Sequence, residues 1–428
     1  MKHYLKPLQN YLPLALTAIG TRVIAIILKF PGFPPGWGGE MVSVANSIAM
    51  GNGFASPYIA QTGPTALMPP VYPYLLSILF RLFGPHSELA GIAALGLNVI
   101  FSAFVLLPLF AITKRLFNRQ AAFAAVWVWA VLPISGYTDA LYIWNTSLFT
   151  LALTTFLAFT LSLEKNEFSA SHLALYALFA GFIMVLEPIS LIVVAVSWLW
   201  LAYQRFPAKT LAQVLVIASI LPCSWMVRNY IVFHQFVFIR SGLGLELSVG
   251  VRGDEFASSL LASLPNRNPN EFEKYRQMGE LTYVQSRFDE ALQWIKENPI
   301  EYSERIVERI VGYWTGYRVS QIYLFYGKFE MIKRIFFSLP ALGVILSLFV
   351  LKKKDILLIH SILLLYPVVY YVTHVELRYR LPLEPLLCCL LIGAIVVIYE
   401  RIKWRYADPF QTLPSLPKRF VKSINQYD

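Results

Sequence analysis

The sequence predicts an all-α polytopic membrane protein: about ten transmembrane helices with a small helical extracytoplasmic domain. Three observations predict it. Of 428 residues, 57% are hydrophobic and only 14% are charged, against about 25% charged in an average soluble domain. The mean hydropathy is +0.56, more apolar surface than a soluble fold with so few charges can hide. Apolar windows of about 20 residues, the length that spans about 30 Å of hydrocarbon, recur along the chain. Soluble enzyme folds are excluded for most of it.

Apolar length and polar breaks place spans near 11–29, 89–112, 121–134, 143–163, 172–186, 189–203, 211–227, 332–351, 356–373 and 383–399. One set of short loops and tails holds Lys2, Lys6, Lys114, Arg115, Arg119, Lys165, Arg205, Lys209, Lys352, Lys353 and Lys354, whereas the alternate short loops hold only Arg81, Arg378 and Arg380. By the positive-inside rule both termini are cytoplasmic. The net charge of +11 is therefore mostly a topology signal. With no basic stripe carrying interleaved aromatics, no nucleic-acid partner is expected. Cys223, Cys388 and Cys389 lie in apolar stretches and read as small buried hydrophobes rather than as a disulfide framework or zinc site.

The expected organisation is an N-terminal transmembrane module over 1–227 that includes a first outer loop at 30–88, an extracytoplasmic helical segment at 228–330, C-terminal transmembrane helices at 331–400 and a basic cytoplasmic tail at 401–428. Outer segments this long usually carry function or their own structure. Within the second, apolar residues at Phe272, Tyr275, Leu281, Val284, Phe288, Leu292 and Ile295 predict a helix over 270–298 that Pro299 ends, and Tyr302, Ile306, Ile310 and Trp314 predict another.

The chemistry-bearing residues concentrate on the outer side. Glu40 follows the Pro-Gly-rich GFPPGWGGE and opens a short helix that ends at Gly51 and Gly53, which puts a carboxylate at a helix N-terminus just outside the first span. Pro69-Pro70 and Pro73 then force an extended entry to an aromatic-rich amphipathic helix along the membrane surface. Arg228 stands at the outer end of the seventh span, followed by Arg240 and the GLGLE turn. The loop YYVTHVELRYRLPLEP packs His374, Glu376, Arg378, Tyr379 and Arg380 between apolar spans. Two arginines on the side that should lack them call for an anion, and the planar guanidinium fork suits phosphate; ion pairs with Glu376 and Glu384 are the competing explanation. Asp139, Asn145 and Glu187 mark further outer breaks, and Arg22, inside the first span, needs a polar partner. No zinc-protease, DxD, P-loop or nucleophile-elbow motif is present.

Together, the acid of the first outer loop, GNGF and PPVYPYLL after it, PCSWMVRNY at a span end and the late HVELRYRLPLEP resemble the GT-C membrane glycosyltransferases. More narrowly they are similar to the bacterial family-39 branch, related to protein O-mannosyltransferases and the lipid A aminoarabinose transferase. The resemblance implies a polyprenyl-phosphate-linked sugar as donor, a glycolipid or protein as acceptor, a periplasmic active site and a place in the bacterial inner membrane among its lipids. It gives Glu40 the catalytic carboxylate role. Arg228, Arg378, Arg380 and Tyr379 are then candidates for the donor phosphate, and Asp139, Asn145, Glu187, His374 and Glu376 for the acceptor or pocket. Where the family typically carries Asp-Glu or Asp-x-Asp, this chain has Gly39-Glu40. No paired-acid motif supports a divalent metal, and no other cofactor is indicated. The alternatives are a transporter or lipid flippase with Arg22 and Glu187 as pathway residues, and a GT-C-like protein that binds carrier lipid without catalysis.

Overall fold

The computed structural model describes residues 2–29, 39–58, 61–133, 135–136, 143–163, 169–252, 264–316, 328–351 and 354–407. Asp139 and the tail beyond 407 lie outside them. Among the described residues every regular element is helical, and the single β contact is an isolated bridge between Ala55 and Pro64.

In chain order the N-terminal half comprises α1 (Lys2–Lys29), α2 (Glu40–Ala49), α3 (Val71–Phe83), α4 (Glu88–Phe104), α5 (Leu106–Leu116), α6 (Arg119–Val131), α7 (Thr146–Ser162), α8 (Ala170–Leu186), α9 (Ser190–Tyr203) and α10 (Ala208–Phe233). The outer segment adds α11 (Leu243–Arg252), α12 (Pro269–Met278), α13 (Glu280–Glu297) and α14 (Pro299–Thr315). The chain returns through α15 (Lys328–Val350), α16 (Lys354–Leu365), α17 (Val368–Val372) and α18 (Glu384–Ala407). Four stretches are long and apolar enough to cross a membrane, 88–116, 208–233, 355–372 and 377–403, and six shorter apolar helices accompany them. The protein is a multi-pass membrane protein.

Each expected span meets a helix, and the differences have local causes. The second span extends to Leu116 but breaks at Val105, where Pro108 withholds the N–H that the Phe104 carbonyl would accept and crowds it. Pro367 divides the ninth span between α16 and α17 in the same way. The seventh does not stop at 227: α10 runs to Phe233 and closes on His234 in the left-handed region (φ +53°). The helix expected over 270–298 is two helices. Gly279, at φ +76°, takes a backbone conformation that interrupts it. Cys223 is exposed on α10, unlike buried Cys388 and Cys389.

Arg22 finds its polar partners where α6 ends. It donates to the carbonyls of Ala130 (2.9 Å) and Trp129 (3.2 Å) and to the hydroxyls of Ser102 and Ser135, both at 2.8 Å. The last carbonyls of a helix lack intrahelical donors, so this buried guanidinium satisfies a helix end inside the bundle.

Two apolar clusters make up most of the core. One joins α5 to α9 with α16 and α18 around Trp129, Phe156, Tyr176 and Leu387. The other joins α2, α3 and α4 to the outer segment through Met41, Tyr72, Leu245, Tyr275 and Tyr283. A cavity opens at the seam between them, lined by Met41, Tyr58 and Leu245 from one and Phe149 and Tyr366 from the other.

Candidate active site

The cavity has a volume of about 510 Å³ and draws its charged and amide side chains from five separate pieces of chain. The first is the start of α2. Gly39 precedes it at φ +103°, and a Cβ there would fall 2.6 Å from the Trp144 ring, so both backbone and space demand glycine. Glu40 is the first helical residue and takes a hydrogen bond at Oε1 from Asn266 Nδ2 (3.1 Å). The second piece is Trp144-Asn145-Thr146 at the start of α7, where Asn145 Nδ2 donates to Glu187 Oε2 (2.8 Å) and to the Leu186 carbonyl (3.2 Å). Glu187 itself, with Pro188, is the break between α8 and α9 and forms the third.

The fourth piece runs from Phe238 into α11. Arg240 Nε donates to the Leu67 carbonyl (3.1 Å), and Nη2 makes an ion pair with Glu246 Oε1 (2.7 Å) in the first turn of α11. Its neighbours are held from the outer segment: Glu280 accepts from Ser241 Oγ (2.9 Å), Ala66 N (2.7 Å), Tyr275 OH (3.0 Å) and the Thr65 hydroxyl. The far end of α11 presses on the fifth piece, the loop 373–380. A Cβ on Gly250 would overlap the Thr373 carbonyl, and Arg309 of α14 donates to Gly250, Tyr371 and Val372 carbonyls. That loop contributes His374, Glu376, Arg378 and Tyr379. Arg378 Nε pairs with Glu376 Oε2 (2.8 Å), and its guanidinium lies 4.4 Å from the Trp144 ring centroid. Exposed Leu191, Phe238, Leu243 and Val369 give the cavity an apolar rim.

Burial pushes the Glu40 carboxyl above its ordinary proton affinity, and its helix N-terminal backbone N–H, Arg378 and Arg240 offset this only in part. Glu246 is also desolvated, yet Arg240 and His374 outweigh the burial and hold it below the usual carboxylate range. Arg240 is held above its ordinary value, because Glu246 and Glu187 overcome the desolvation that opposes its charge. The site thus combines a carboxylate with raised proton affinity and two guanidiniums fixed by carboxylates.

Of the residues singled out in sequence, Glu40, Asn145, Glu187, His374, Glu376, Arg378 and Tyr379 line this one cavity. Arg228 and Arg380 do not. Half-buried Arg228 donates to the Thr65 (2.8 Å) and Phe54 (3.0 Å) carbonyls between the rings of Phe54 and Trp225, clamping the first outer loop. Fully buried Arg380 pairs with Glu384 (2.6 Å) and donates to the Trp314 and Phe337 carbonyls. Both terminal nitrogens of Arg228 and all three nitrogens of Arg380 already donate within the protein. Arg240 and Glu246 stand in the site instead, and the signal for them was the RSGLGLE stretch, which sets an arginine six residues before an acid in the first turn of a helix.

A paired acid beside Glu40 does not fit, because a side chain at 39 would meet Trp144. Among the described residues no cluster of three His, Cys, Asp or Glu is placed to hold a metal ion.

The architecture matches known membrane enzymes. The oligosaccharyltransferase of Archaeoglobus fulgidus, solved in complex with Zn and sulfate, superposes with a TM-score of 0.54 at 15% identity, over 92% of this chain and 50% of that one. Its apo form gives 0.52 at 14%, over 97% and 54%. The fold is shared with that oligosaccharyltransferase. Residues 68–227 also match the family model for dolichyl-phosphate-mannose-protein mannosyltransferases. The chain spans about half the length of the oligosaccharyltransferase it matches. ArnT from Cupriavidus metallidurans bound to undecaprenyl phosphate aligns over 94% of this chain and 81% of its own, at 11% identity and a TM-score of 0.38, below the level that argues for a shared fold. A sequence search of curated proteins gives no significant match.

Proposed function

We propose that this protein is an integral-membrane glycosyltransferase that moves a sugar from a polyprenyl-phosphate donor to an acceptor hydroxyl on the outer face of the bacterial inner membrane. The observation that carries the reading is the shared cavity: Glu40, Arg240 and Arg378 line one volume with an apolar rim. Glu40 takes the acceptor hydroxyl proton as that oxygen attacks the anomeric carbon, a role worth about 10²–10⁴ in rate. The bond from the anomeric carbon to phosphate oxygen breaks, and its electron pair leaves with the polyprenyl phosphate. Arg240 and Arg378, in place of Arg228 and Arg380, meet the charge that develops there. Displacement in one step inverts the sugar carbon. The isoprenoid tail lies over the apolar rim, where each buried CH₂ contributes about 0.8 kcal/mol.

The outer-face assignment rests on charge. The cavity is built from segments near 40, 144, 187, 240 and 376, which the positive-inside rule puts opposite the lysine-rich loops and both termini. The four-part organisation read from the sequence follows the same division, with the outer boundary moved to the end of α10. A glycolipid or protein hydroxyl is the acceptor class.

The test is donor turnover by the full chain in lipid nanodiscs. Polyprenyl-phosphate sugars are supplied with an envelope glycolipid and protein extract, and mass spectrometry follows both donor and acceptors. Acceptor mass rising by one sugar as polyprenyl phosphate is released is the expected result. Donor left intact with every sugar and acceptor fraction would overturn the reading.

A further inference from the structure

Three cavity side chains form a connected chain that the transfer step above leaves without a role. Glu246 Oε2 lies 3.2 Å from His374 Nδ1, within ion-pair reach. The other ring nitrogen, Nε2, lies 2.9 Å from the Tyr379 hydroxyl. Arg240 holds Glu246 from its far oxygen at 2.7 Å. His374 is buried, and the Tyr379 ring is clamped by Tyr370, stacked at 4.4 Å with planes 16° apart. All of these groups line the cavity.

An imidazole set between a carboxylate and a phenol controls where the phenol hydrogen points. Neutral imidazole has one N–H and one lone pair. With its N–H toward the Glu246 carboxylate, Nε2 accepts the Tyr379 proton, and the phenol offers the cavity only lone pairs. Imidazolium donates from both nitrogens. Nε2–H then goes to the phenol oxygen, and the phenol O–H is released to donate into the cavity. Among the described residues the charged and titratable groups around this unit include Glu246 and Arg240 from the start of α11, Glu376 and Arg378 on its own loop, Tyr370 from α17, Arg309 and Tyr313 from α14, Glu187 from the α8–α9 break and Glu40 from α2. Of these, Glu246 is the carboxylate set against His374 Nδ1.

We infer that His374, backed by Glu246, sets the direction of the Tyr379 hydroxyl hydrogen, so that Tyr379 donates to the carrier phosphate only when His374 is protonated. The inference rests on the carrier-phosphate reading of the cavity. Tyr379 touches the ligand; His374 and Glu246 are positioning residues. Phosphate binding then tightens as His374 gains a proton.

The experiment uses the full chain in nanodiscs of neutral lipid, with undecaprenyl phosphate as probe and undecaprenol as the control that lacks phosphate. Dissociation constants are measured from about pH 8 to about pH 5 for wild type, Tyr379→Phe and His374→Gln, with melting curves to show each is folded. Variant-to-wild-type ratios cancel the titration of the lipid phosphate itself. The Tyr379→Phe ratio should rise from near one at the alkaline end to about tenfold at the acid end, the worth of one hydrogen bond to a charged group. His374→Gln should give a ratio that changes over the same interval, and it carries the test if Tyr379→Phe does not fold. Undecaprenol should show neither change. A ratio that stays constant with pH for Tyr379→Phe, or for His374→Gln if that variant alone folds, overturns the relay and leaves the carrier reading standing. A wild-type protein that binds no undecaprenyl phosphate overturns both.

Discussion

The arginines on the cavity wall and those behind it are wired differently. Behind the cavity, Arg22, Arg228, Arg309 and Arg380 donate largely to backbone carbonyls at helix ends and loop turns. Along the cavity wall, Arg240 and Arg378 pair with Glu246 and Glu376 and keep a face on the open volume. In the first setting the guanidinium ties together backbone carbonyls from separate pieces of chain. In the second, a carboxylate fixes the orientation of a cation that still faces a space where an anion fits. Neither residue type nor a carboxylate partner distinguishes them, since Arg380 also pairs with Glu384; a face on the open volume does.

Altering one arginine from each setting breaks the comparison most sharply. Arg380→Met leaves Glu384 buried without its cation, a loss of about 3–5 kcal/mol, and should lower the melting temperature markedly. Arg378→Met should melt close to wild type. Equal melting of the two variants would show that the settings do not differ. Function should sort the other way. Arg240→Ala and Arg378→Ala each remove a charged contact worth about 1.5–3 kcal/mol and should lower kcat/KM for donor tenfold or more, whereas Arg228→Ala acts only through the clamp on the first outer loop and should lower it less. A larger kinetic loss in Arg228→Ala would return that residue to the phosphate.

Two smaller effects sharpen the picture of the cavity. Gly39→Asp restores a paired acid in sequence but forces a side chain into a strained backbone region, at a cost of order 1–3 kcal/mol, and against Trp144. It should lower stability and turnover together; a gain in turnover would show that Trp144 yields. The pH profile gives the finest test. Because burial raises the proton affinity of Glu40, its carboxylate form is lost as pH falls through a value above the ordinary glutamate range of about 4.3, and the acid limb of turnover should sit there. Arg378 lowers that value and Glu246 raises it, so Arg378→Ala should move the limb up and Glu246→Gln should move it down. A limb unmoved by both variants would separate Glu40 from the field of the cavity.

The helices were legible because each span carries its own apolar run, and Gly51 and Gly53 close α2 as the sequence implied. Glu40 was legible because the helix it opens is local. That Arg228 and Arg380 would lie outside the cavity was not legible for a physical reason: their acceptors include carbonyls of Phe54, Thr65, Trp314 and Phe337, distant in sequence and silent in composition. The roles of Arg240 and Glu246 in the cavity went unrecognised for the converse reason. The pair is nearly local, but what gives it a place in the site is the docking of α11 against α13 and the 373–380 loop. Gly250 makes the second of those approaches possible, and no local pattern reports it. Gly279 shows the same limit in miniature, since helical periodicity continues across a residue whose backbone ends the helix.

The central claim is that Glu40 and the cavity arginines act on one bound donor while Arg228 does not. The most direct measurement is a pair of double-mutant cycles on kcat/KM for donor turnover, Glu40→Gln with Arg378→Ala and Glu40→Gln with Arg228→Ala. Groups that share a partner couple by about 0.5–3 kcal/mol, whereas independent sites add. Coupling in the Arg378 cycle with additivity in the Arg228 cycle is the predicted result. Additivity in both, or coupling through Arg228 alone, would contradict it.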